Sequence, residues 1–208
     1  MSGVVAQNIN RQSGLIKAPE AGGGAWTFIK KLTASASATL SFVNGTSDVV
    51  LDGTYAEYLF YFVNIHPATS EADFSFNMSI DTGSNYNVTK TTTRISAYHK
   101  EDDSGTPAVV YHASSDLAQA TGFQDLFQNI GIDNDQSTSG YLHLFSPSST
   151  VFVKHFISRG NIAEASDYTE DNYTAGYGNT TSAVDAVQFK FDTGNVDTGD
   201  IFLHGLTI

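Results

Sequence analysis

The stretch that decides the fold is the eight-residue run Phe74-Ser75-Phe76-Asn77-Met78-Ser79-Ile80-Asp81. Apolar and polar side chains alternate without a break, and a period of two is typical of a β-strand. The apolar side chains share one face of the strand, and the polar side chains share the other. The run therefore predicts a strand with one face in a hydrophobic core and the other in water.

Similar strand signals recur on both sides of this run. The most aromatic one is Tyr58-Leu59-Phe60-Tyr61-Phe62-Val63-Asn64-Ile65, which ends before Pro67. The others are residues 26–32, 39–43, 94–99, 108–112, 140–145, 150–158, 183–191 and 200–206. Gly, Asn, Asp and Ser clusters separate them, and Asn44-Gly45 favours a tight hairpin turn. About ten short strands with almost no helix signal predict an all-β fold, a jelly-roll-like β-sandwich over residues 25–208.

Some of these strands are apolar on both faces. In 58–63, Tyr58, Phe60 and Phe62 point one way, and Leu59, Tyr61 and Val63 point the other. In 151–157, apolar side chains likewise occur on both faces. One face suits the core of a sandwich, and the second needs cover from a loop, the N-terminal segment or another subunit. This pattern indicates a homo-oligomer.

Three segments give weaker signals. Ser115–Ala120 is compatible with one helical turn, and Phe123–Ile130 is compatible with either a strand or a short helix. Residues 164–182 are polar and contain three tyrosines, and they are predicted to form a long loop. A loop of that length usually has a function or is mobile.

Composition and charge exclude several classes of function. The 208 residues include no cysteine, so disulfides, thiolate nucleophiles and cysteine-based metal sites are excluded. The net charge of −12 makes nucleic acid an unsuitable partner, because phosphate backbones would be repelled. No apolar run approaches the length of a membrane span, so no membrane partner is expected.

Residues 1–24 differ from the rest of the chain and end in Gly22-Gly23-Gly24, which favours a linker. Residues 1–31 carry a net charge of +3, and the remainder carries −15. Such an arm can dock on an acidic neighbour, including another copy of the chain. A disordered tail is the alternative. The side chains expected to anchor the arm are Val4, Val5, Ile9, Arg11, Leu15, Ile16 and Lys17.

The sequence contains no convincing catalytic or metal-binding motif, and neither an enzyme nor a cofactor is expected. Asp-Thr-Gly occurs at Asp81, Asp192 and Asp197, but this triplet is also ordinary turn chemistry at the end of a strand. The six histidines lack the spacing of metal ligands, although His143 and His155 are predicted on neighbouring strands. Asp133-Asn134-Asp135 lacks the glycine and the closing glutamate of a calcium loop, which favours a turn.

Tyrosines beside Asp and Asn are also the composition of a sugar site, because rings stack on sugars while polar groups bond hydroxyls. The residues of this kind within 164–182 are Asp167, Tyr168, Asp171, Tyr173 and Tyr177. They make a glycan-binding β-sandwich module the alternative function. A mobile loop that happens to contain tyrosines remains the simpler interpretation.

Four stretches of the chain carry a resemblance to a known family, and they are residues 22–35, 51–60, 139–150 and 188–206. They resemble virion structural proteins of marine tailed phages, notably cyanophages, and the resemblance covers most of 22–206. The resemblance implies a jelly-roll-type sandwich without catalytic residues, in a capsid decoration or cement protein or a tail fibre or knob component. It further implies a virion surface location and contact with major capsid or tail proteins. Together with the two apolar strand faces it predicts a homotrimer, and host-surface glycan bound by the tyrosine-rich segment is the alternative.

Overall fold

The computed structural model describes residues 24–206 of the chain, and these form thirteen β-strands. The strands are β1 (Trp26–Thr33), β2 (Leu40–Val43), β3 (Glu57–Pro67), β4 (Ala72–Ser79), β5 (Lys90–Lys100), β6 (Ala108–Tyr111), β7 (Ala118–Ala120), β8 (Gln124–Ile130), β9 (Thr138–Phe145), β10 (Lys154–Ala163), β11 (Tyr168–Gly178), β12 (Ala186–Phe191) and β13 (Val196–Leu206). The all-β prediction is confirmed. The strands missing from the predicted set of about ten are β7, β8 and β11.

The strands form two sheets that pack face to face, which confirms the predicted sandwich. The large sheet has nine strands, in the order β1-β13-β3-β9-β10-β11-β5-β6, with β7 also paired to β5. The small sheet has four strands, in the order β2-β12-β4-β8. Every pair of neighbouring strands is antiparallel. The side of the large sheet that faces the small sheet is its inner face, and the opposite side is its outer face.

Phenylalanine rings dominate the core between the two sheets. Phe60 and Phe62 of β3 lie 5.2 and 5.1 Å from Phe189 of β12, measured between ring centroids. Phe74 of β4 packs edge-to-face against Phe62 at 5.3 Å. Such tilted contacts are the favoured geometry of aromatic pairs. The predicted apolar face of β4 is thus confirmed as buried, and in β3 the face with Phe60 and Phe62 lies in the core. Other side chains with no solvent exposure here are Phe42, Phe76, Met78, Phe127, Leu142, Leu144, Phe156, Ile201 and Leu203.

The polar face predicted for β4 is not in water, so this part of the prediction is wrong. Ser75, Asn77 and Ser79 are at most 1% exposed, whereas Ile80 lies beyond the strand and is 43% exposed. Asn77 Nδ2 donates to two backbone carbonyl oxygens outside β4, at 2.6 and 3.0 Å. The Nζ of Lys90 donates to Asn77 Oδ1. The polar side chains are therefore buried with partners, as buried polar groups require.

The inner face of the large sheet is polar where β5 and β11 lie. Thr92 Oγ1 of β5 donates to Gln124 Oε1 of β8. Arg94 Nη1 donates to Gln128 Oε1 of the same strand. Hydrogen bonds between side chains thus help to join this end of the large sheet to the small sheet. The inward polar side chains, each at most 9% exposed, are Lys90, Thr92, Arg94, Ser96, Glu170, Asn172 and Thr174.

The loop predicted for residues 164–182 is wrong, because most of this segment is the strand β11. β11 pairs with β10 along one side and with β5 along the other. Its inward side chains are polar, so the segment lacks the apolar alternation that marks a half-buried strand. The structure therefore places the predicted loop inside the large sheet.

Two further local predictions are wrong, and one segment that the sequence left undecided is resolved. Residues 115–120 form no helical turn and lead into β7, because Leu117 N donates to Thr92 Oγ1 at 2.7 Å. The undecided segment 123–130 is the strand β8. The strand predicted at 150–158 begins only at Lys154, and Val151 and Phe152 before it are 69% and 70% exposed.

The Asn44-Gly45 turn exists, but it does not close a tight hairpin. Gly45 adopts a φ of +75°, which favours glycine, and its N–H donates to Val49 O at 2.9 Å. The strand before the turn, β2, pairs with β12 in the small sheet, whereas β3 belongs to the large sheet. The turn therefore starts a crossing between sheets.

Candidate functional site

The outer face of the large sheet carries exposed apolar side chains. On β3, Tyr61 and Val63 are 43% and 41% exposed, while Leu59 on the same face is 2% exposed. On β10, Ile157 is 47% exposed. The exposed face of an antiparallel sheet is ordinarily polar. Within residues 24–206, part of the second apolar face predicted for β3 thus remains open to solvent.

Strand pairing aligns seven outward residues across this face. They are Phe202, Tyr61, Tyr141, Arg159, Tyr173, Ile95 and Tyr111, and we call them the aromatic row. The rings of Tyr61 and Tyr141 lie 6.4 Å apart, and side chains directly opposite each other on paired strands stabilise a sheet. An exposed row of this composition is typical of a surface that contacts a partner or a ligand.

Two histidines extend the aromatic surface toward β1. The ring of His204 lies 5.6 Å from Phe28 and 5.8 Å from Tyr61. The ring of His143 lies 5.9 Å from Trp26, and its Nδ1 contacts a carboxylate oxygen of Glu57. Burial lowers the pKa of His204, so this ring is neutral near pH 7. The part of the outer face formed by β1, β13 and β3 is therefore predominantly aromatic.

His143 and His155 lie on neighbouring strands, as predicted, but each has other partners. His155 packs against Tyr177 of β11, with ring centroids 6.1 Å apart. Neither histidine belongs to a group of three metal-ligating side chains, since the described residues contain none. The two histidines are thus parts of the aromatic surface.

The outer face is more polar where β10 and β11 meet. Arg159 Nε and Nη2 donate to the two carboxylate oxygens of Asp171, at 3.0 and 2.8 Å. The guanidinium also lies over the ring of Tyr173, 4.6 Å from its centroid. The hydrogen bonds to Asp171 raise the pKa of Arg159, which stays charged in any case. These contacts with Asp171 and Tyr173 hold the planar guanidinium of Arg159 in one orientation on the exposed face.

The structure separates the five residues predicted as an outward ligand loop. Asp171, Tyr173 and Tyr177 lie on the outer face of β11. Tyr168 begins β11, and its ring packs against Tyr98 at 5.7 Å. Asp167 lies in the turn before β11, with a φ of +64°. Three of the five residues therefore share one surface, on a strand instead of a loop.

A second group of polar and charged side chains lies between β5 and β11 of the large sheet and β8 of the small sheet. We call Arg94, Glu170, Asn172, Gln128 and Asp125 the polar cluster. Arg94 is 1% exposed, and its Nη2 donates to Asn172 Oδ1 and lies 3.6 Å from Glu170 Oε1. Burial lowers the pKa of Arg94, and the Glu170 carboxylate opposes that shift. Burial also raises the pKa of Asp125 to about 6.

A small opening connects the polar cluster to solvent at one end of the sandwich. It is lined by Tyr98, His112, Asn129, Glu164, Tyr168 and Glu170. His112 Nε2 lies 3.9 Å from Glu170 Oε1, and burial lowers the pKa of this histidine. The lining is polar: Glu170 contacts Arg94 and His112, whereas the Glu164 carboxylate accepts a hydrogen bond from Ser166 N at 2.7 Å. The sequence pattern did not indicate this opening, because its residues come from separate segments of the chain.

The triplets that begin at Asp81 and Asp192 lie in turns or bends, whereas the triplet at Asp197 lies within the strand β13, so the turn expected there is wrong. Asp81 Oδ1 accepts hydrogen bonds from Asn85 N at 2.8 Å and from Ser79 Oγ at 2.7 Å. The side-chain hydrogen bond from Asn85 Nδ2 to Asp81 Oδ2, at 2.7 Å, lowers the pKa of Asp81 most, whereas a proton-sharing pair needs one raised carboxyl pKa. Asp192 accepts from the backbone of Asp73 at 2.8 Å. Asp133 likewise closes a turn, because Gln136 N donates to Asp133 O at 2.9 Å.

The anchor residues of the predicted arm lie outside the described residues, so they stay a prediction. They are Val4, Val5, Ile9, Arg11, Leu15, Ile16 and Lys17. Across residues 24–206 there is no helix long and apolar enough to cross a membrane. Comparison with protein-family models, curated proteins and solved structures finds no match for this chain.

Proposed function

We propose that this chain is a non-enzymatic structural protein of a phage virion, either a capsid decoration or cement protein or a component of a tail fibre. In this proposal it acts as a homo-oligomer, with a trimer as the expected state. The observation that carries the oligomer is the aromatic outer face around β1, β13 and β3. The virion assignment comes from the sequence resemblance.

The composition of this part of the outer face supports contact with a second copy. Trp26 and Phe28 of β1 are 40% and 57% exposed, and they continue the surface formed by Tyr61. Aromatic residues and arginine are enriched in the buried centre of protein interfaces. Exposed aromatic rings contribute no burial free energy to an isolated monomer, whereas burying them against another copy stabilises the assembly.

The edge of the large sheet at β1 is unsuited to pairing with another strand. The register of β1 shifts between Phe28 and Lys30, which indicates a bulge. Lys30 and Lys31 follow it, and bulges and lysines are the usual features that prevent edge-to-edge pairing. Association through the outer face is therefore favoured over extension of the sheet, and it gives a closed oligomer.

The native mass tests the oligomer. Light scattering at two concentrations should give about 67 kDa, which is three times the chain mass of 22.3 kDa. The variant Phe28→Ser/Tyr61→Ser should lower the mass to that of one chain. The matched control Val109→Ser/Tyr111→Ser removes side chains that are 76% and 57% exposed near the opposite edge of the same sheet. The control should keep the wild-type mass.

A monomeric wild type, or equal masses for the two double variants, would refute association through this face. The virion location is tested separately by labelling purified particles of the phage that encodes the chain with an antibody against it. Unlabelled particles would exclude the virion assignment, whatever the native mass.

A further inference from the structure

We propose that the outer face of β9, β10 and β11 binds a neutral saccharide, with Tyr141, Arg159, Asn161 and Asp171 as the principal contacts. This inference goes beyond the proposed function and does not depend on it. The site, which we call the central groove, lies away from β1 and has its own chemistry.

The central groove is open and shallow, with a volume of about 440 Å³. It lies between two rows of outward side chains, one with Tyr141, Arg159 and Tyr173 and the other with Ser139, Asn161 and Asp171. Its floor is the backbone of Gly140 and Gly160, which pair with each other across β9 and β10. The volume lies within the range of small-ligand sites.

The floor of the groove is held rigidly from inside the core. A Cβ added to Gly160 would come within 2.4 Å of the Phe127 ring, and one added to Gly140 within 3.0 Å. Phe127 has no solvent exposure, so its ring packs directly beneath both glycines. A rigid floor reduces the ordering cost of binding, which matters for a shallow site.

The polar groups of the groove are fixed in position before any ligand arrives. Two N–H groups of Arg159 are held by Asp171, and its Nη1 has no acceptor among the described residues. Asn161 Nδ2 donates to Thr169 Oγ1 at 2.9 Å and to Glu170 O at 3.2 Å, which leaves its Oδ1 as an acceptor. The groove therefore offers a charged donor, Arg159 Nη1, and a neutral acceptor, Asn161 Oδ1, on the same face of β10.

This combination favours a hydroxyl-rich neutral ligand. A sugar hydroxyl both donates and accepts, so it pairs with a donor and an acceptor that lie together. The aromatic face of Tyr141 suits the C–H face of a sugar ring. Asp171 offsets the charge of Arg159, which disfavours an anion such as phosphate. A purely apolar ligand would leave these polar groups without hydrogen bonds.

The surface next to the groove lets the site accept more than one sugar unit. A shallow trough lined by Tyr177, His155, Ile157 and Ala175 continues along β10 and β11 on the same face. From Asp171 to Tyr177 the outward residues of β11 span roughly 20 Å, at about 3.3 Å per residue. An oligosaccharide can therefore lie along the strand direction, with aromatic groups near both ends.

The experiment is a binding screen on an array of neutral and acidic oligosaccharides, followed by calorimetry with the strongest neutral one. Arg159→Met and Tyr141→Ala should each weaken binding about tenfold or more, since each removes a principal contact. Asp171→Asn keeps the shape but frees the guanidinium, and it should shift preference toward acidic sugars. The control Val109→Ser removes an outward side chain of β6 that is 76% exposed and lies outside both the groove and the aromatic row, and it should bind normally. Circular dichroism confirms that every variant is folded.

An array without neutral ligands for the wild type would overturn the proposal, and so would tight binding that Arg159→Met and Tyr141→Ala leave unchanged. Binding of acidic sugars alone would contradict the assignment of a neutral ligand. The oligomer is tested by the native mass of Phe28→Ser/Tyr61→Ser, and the saccharide is tested on the wild type and the groove variants, so failure of one proposal can be distinguished from failure of the other.

Discussion

Phe62 and Arg94 lie on the same inner face of the large sheet, and each is 1% exposed. Phe62 is surrounded by other rings, including Phe74 and Phe127 at 5.3 and 5.9 Å. Arg94 instead contacts Gln128, Asn172 and Glu170 through hydrogen bonds and charge. One half of the interior is therefore held by non-directional apolar packing, and the other by directional polar contacts.

The difference between these halves determines how each responds to change. Apolar packing loses stability in proportion to the volume removed. A buried polar cluster fails when one member is removed, because the remaining groups are left buried without partners. We expect this contrast to produce four measurable effects, the largest of them in the apolar half.

Removing a ring from the apolar half should cost the most. Phe62→Ala should lower the free energy of unfolding by about 3–5 kcal/mol, because the cavity it leaves is enclosed by other core rings. Urea denaturation followed by tryptophan fluorescence or circular dichroism measures this loss. Val109→Ala, at a position 76% exposed, should change the stability by no more than about 0.5 kcal/mol. Similar losses for the two variants would mean that the core is misassigned.

Removing the Arg94 guanidinium from the polar half should lower the free energy of unfolding by about 3 kcal/mol. Arg94→Met preserves most of the side-chain volume but leaves Gln128, Asn172 and Glu170 without their partner. The same urea titration measures the effect. Arg159→Met, which removes an exposed arginine from the outer face, provides a control with the same chemical change. If Arg94→Met is as stable as the wild type, the polar contacts do not hold this half together.

The buried lysine of β5 should give the protein a pH-dependent stability. Burial lowers the pKa of Lys90 from 10.5 to about 7, so between these values the unfolded chain binds a proton that the folded protein lacks. Stability should therefore rise with pH across this window, by about 2 kcal/mol, since hydrogen bonds to the ammonium oppose part of the burial effect. Urea denaturation at pH 7 and 9.5 tests this, and Lys90→Met should remove the rise. A flat wild-type profile would contradict the lowered pKa.

The smallest effect should be the coupling within the polar cluster. In the Arg94→Met variant the Glu170 carboxylate is buried without its cation. Adding Glu170→Gln removes this charge and should raise the free energy of unfolding by about 1 kcal/mol. In the wild type the same Glu170→Gln change should be destabilising, because it removes the partner of Arg94. A double-mutant cycle from urea denaturation measures the coupling. Additive effects would show that the 3.6 Å contact contributes nothing.

The apolar half of the fold could be predicted from the sequence, and the polar half could not. In β3 and β4 the alternation of phenylalanine with other residues identifies both the strand and its buried face. In β11 the inward residues Glu170, Asn172 and Thr174 are polar, so no hydrophobic period exists to detect. The tyrosines and threonines of β11 favour a strand, and this weaker signal was available.

The candidate site was predicted only in part, for the same reason. The second apolar face of β3 followed from Tyr61 and Val63, and Tyr173 was selected for its chemistry. The contact of Arg159 with Asp171 joins residues twelve positions apart on two paired strands. Their alignment depends on the register of β10 with β11, and one of these strands was predicted as a loop. The central groove could therefore be identified only from the structure.

The position of β13 has a consequence for how the chain is made. Val196–Leu206 lies between β1 and β3, so Trp26 and Glu57 both pair with Leu206. During synthesis on the ribosome, β1 and β3 emerge long before β13, which lies between them in the large sheet. A nascent chain thus carries open strand edges for most of its translation, a state prone to aggregation. A circular permutant that joined residue 206 to residue 24 would make β13 and β1 consecutive and shorten that delay.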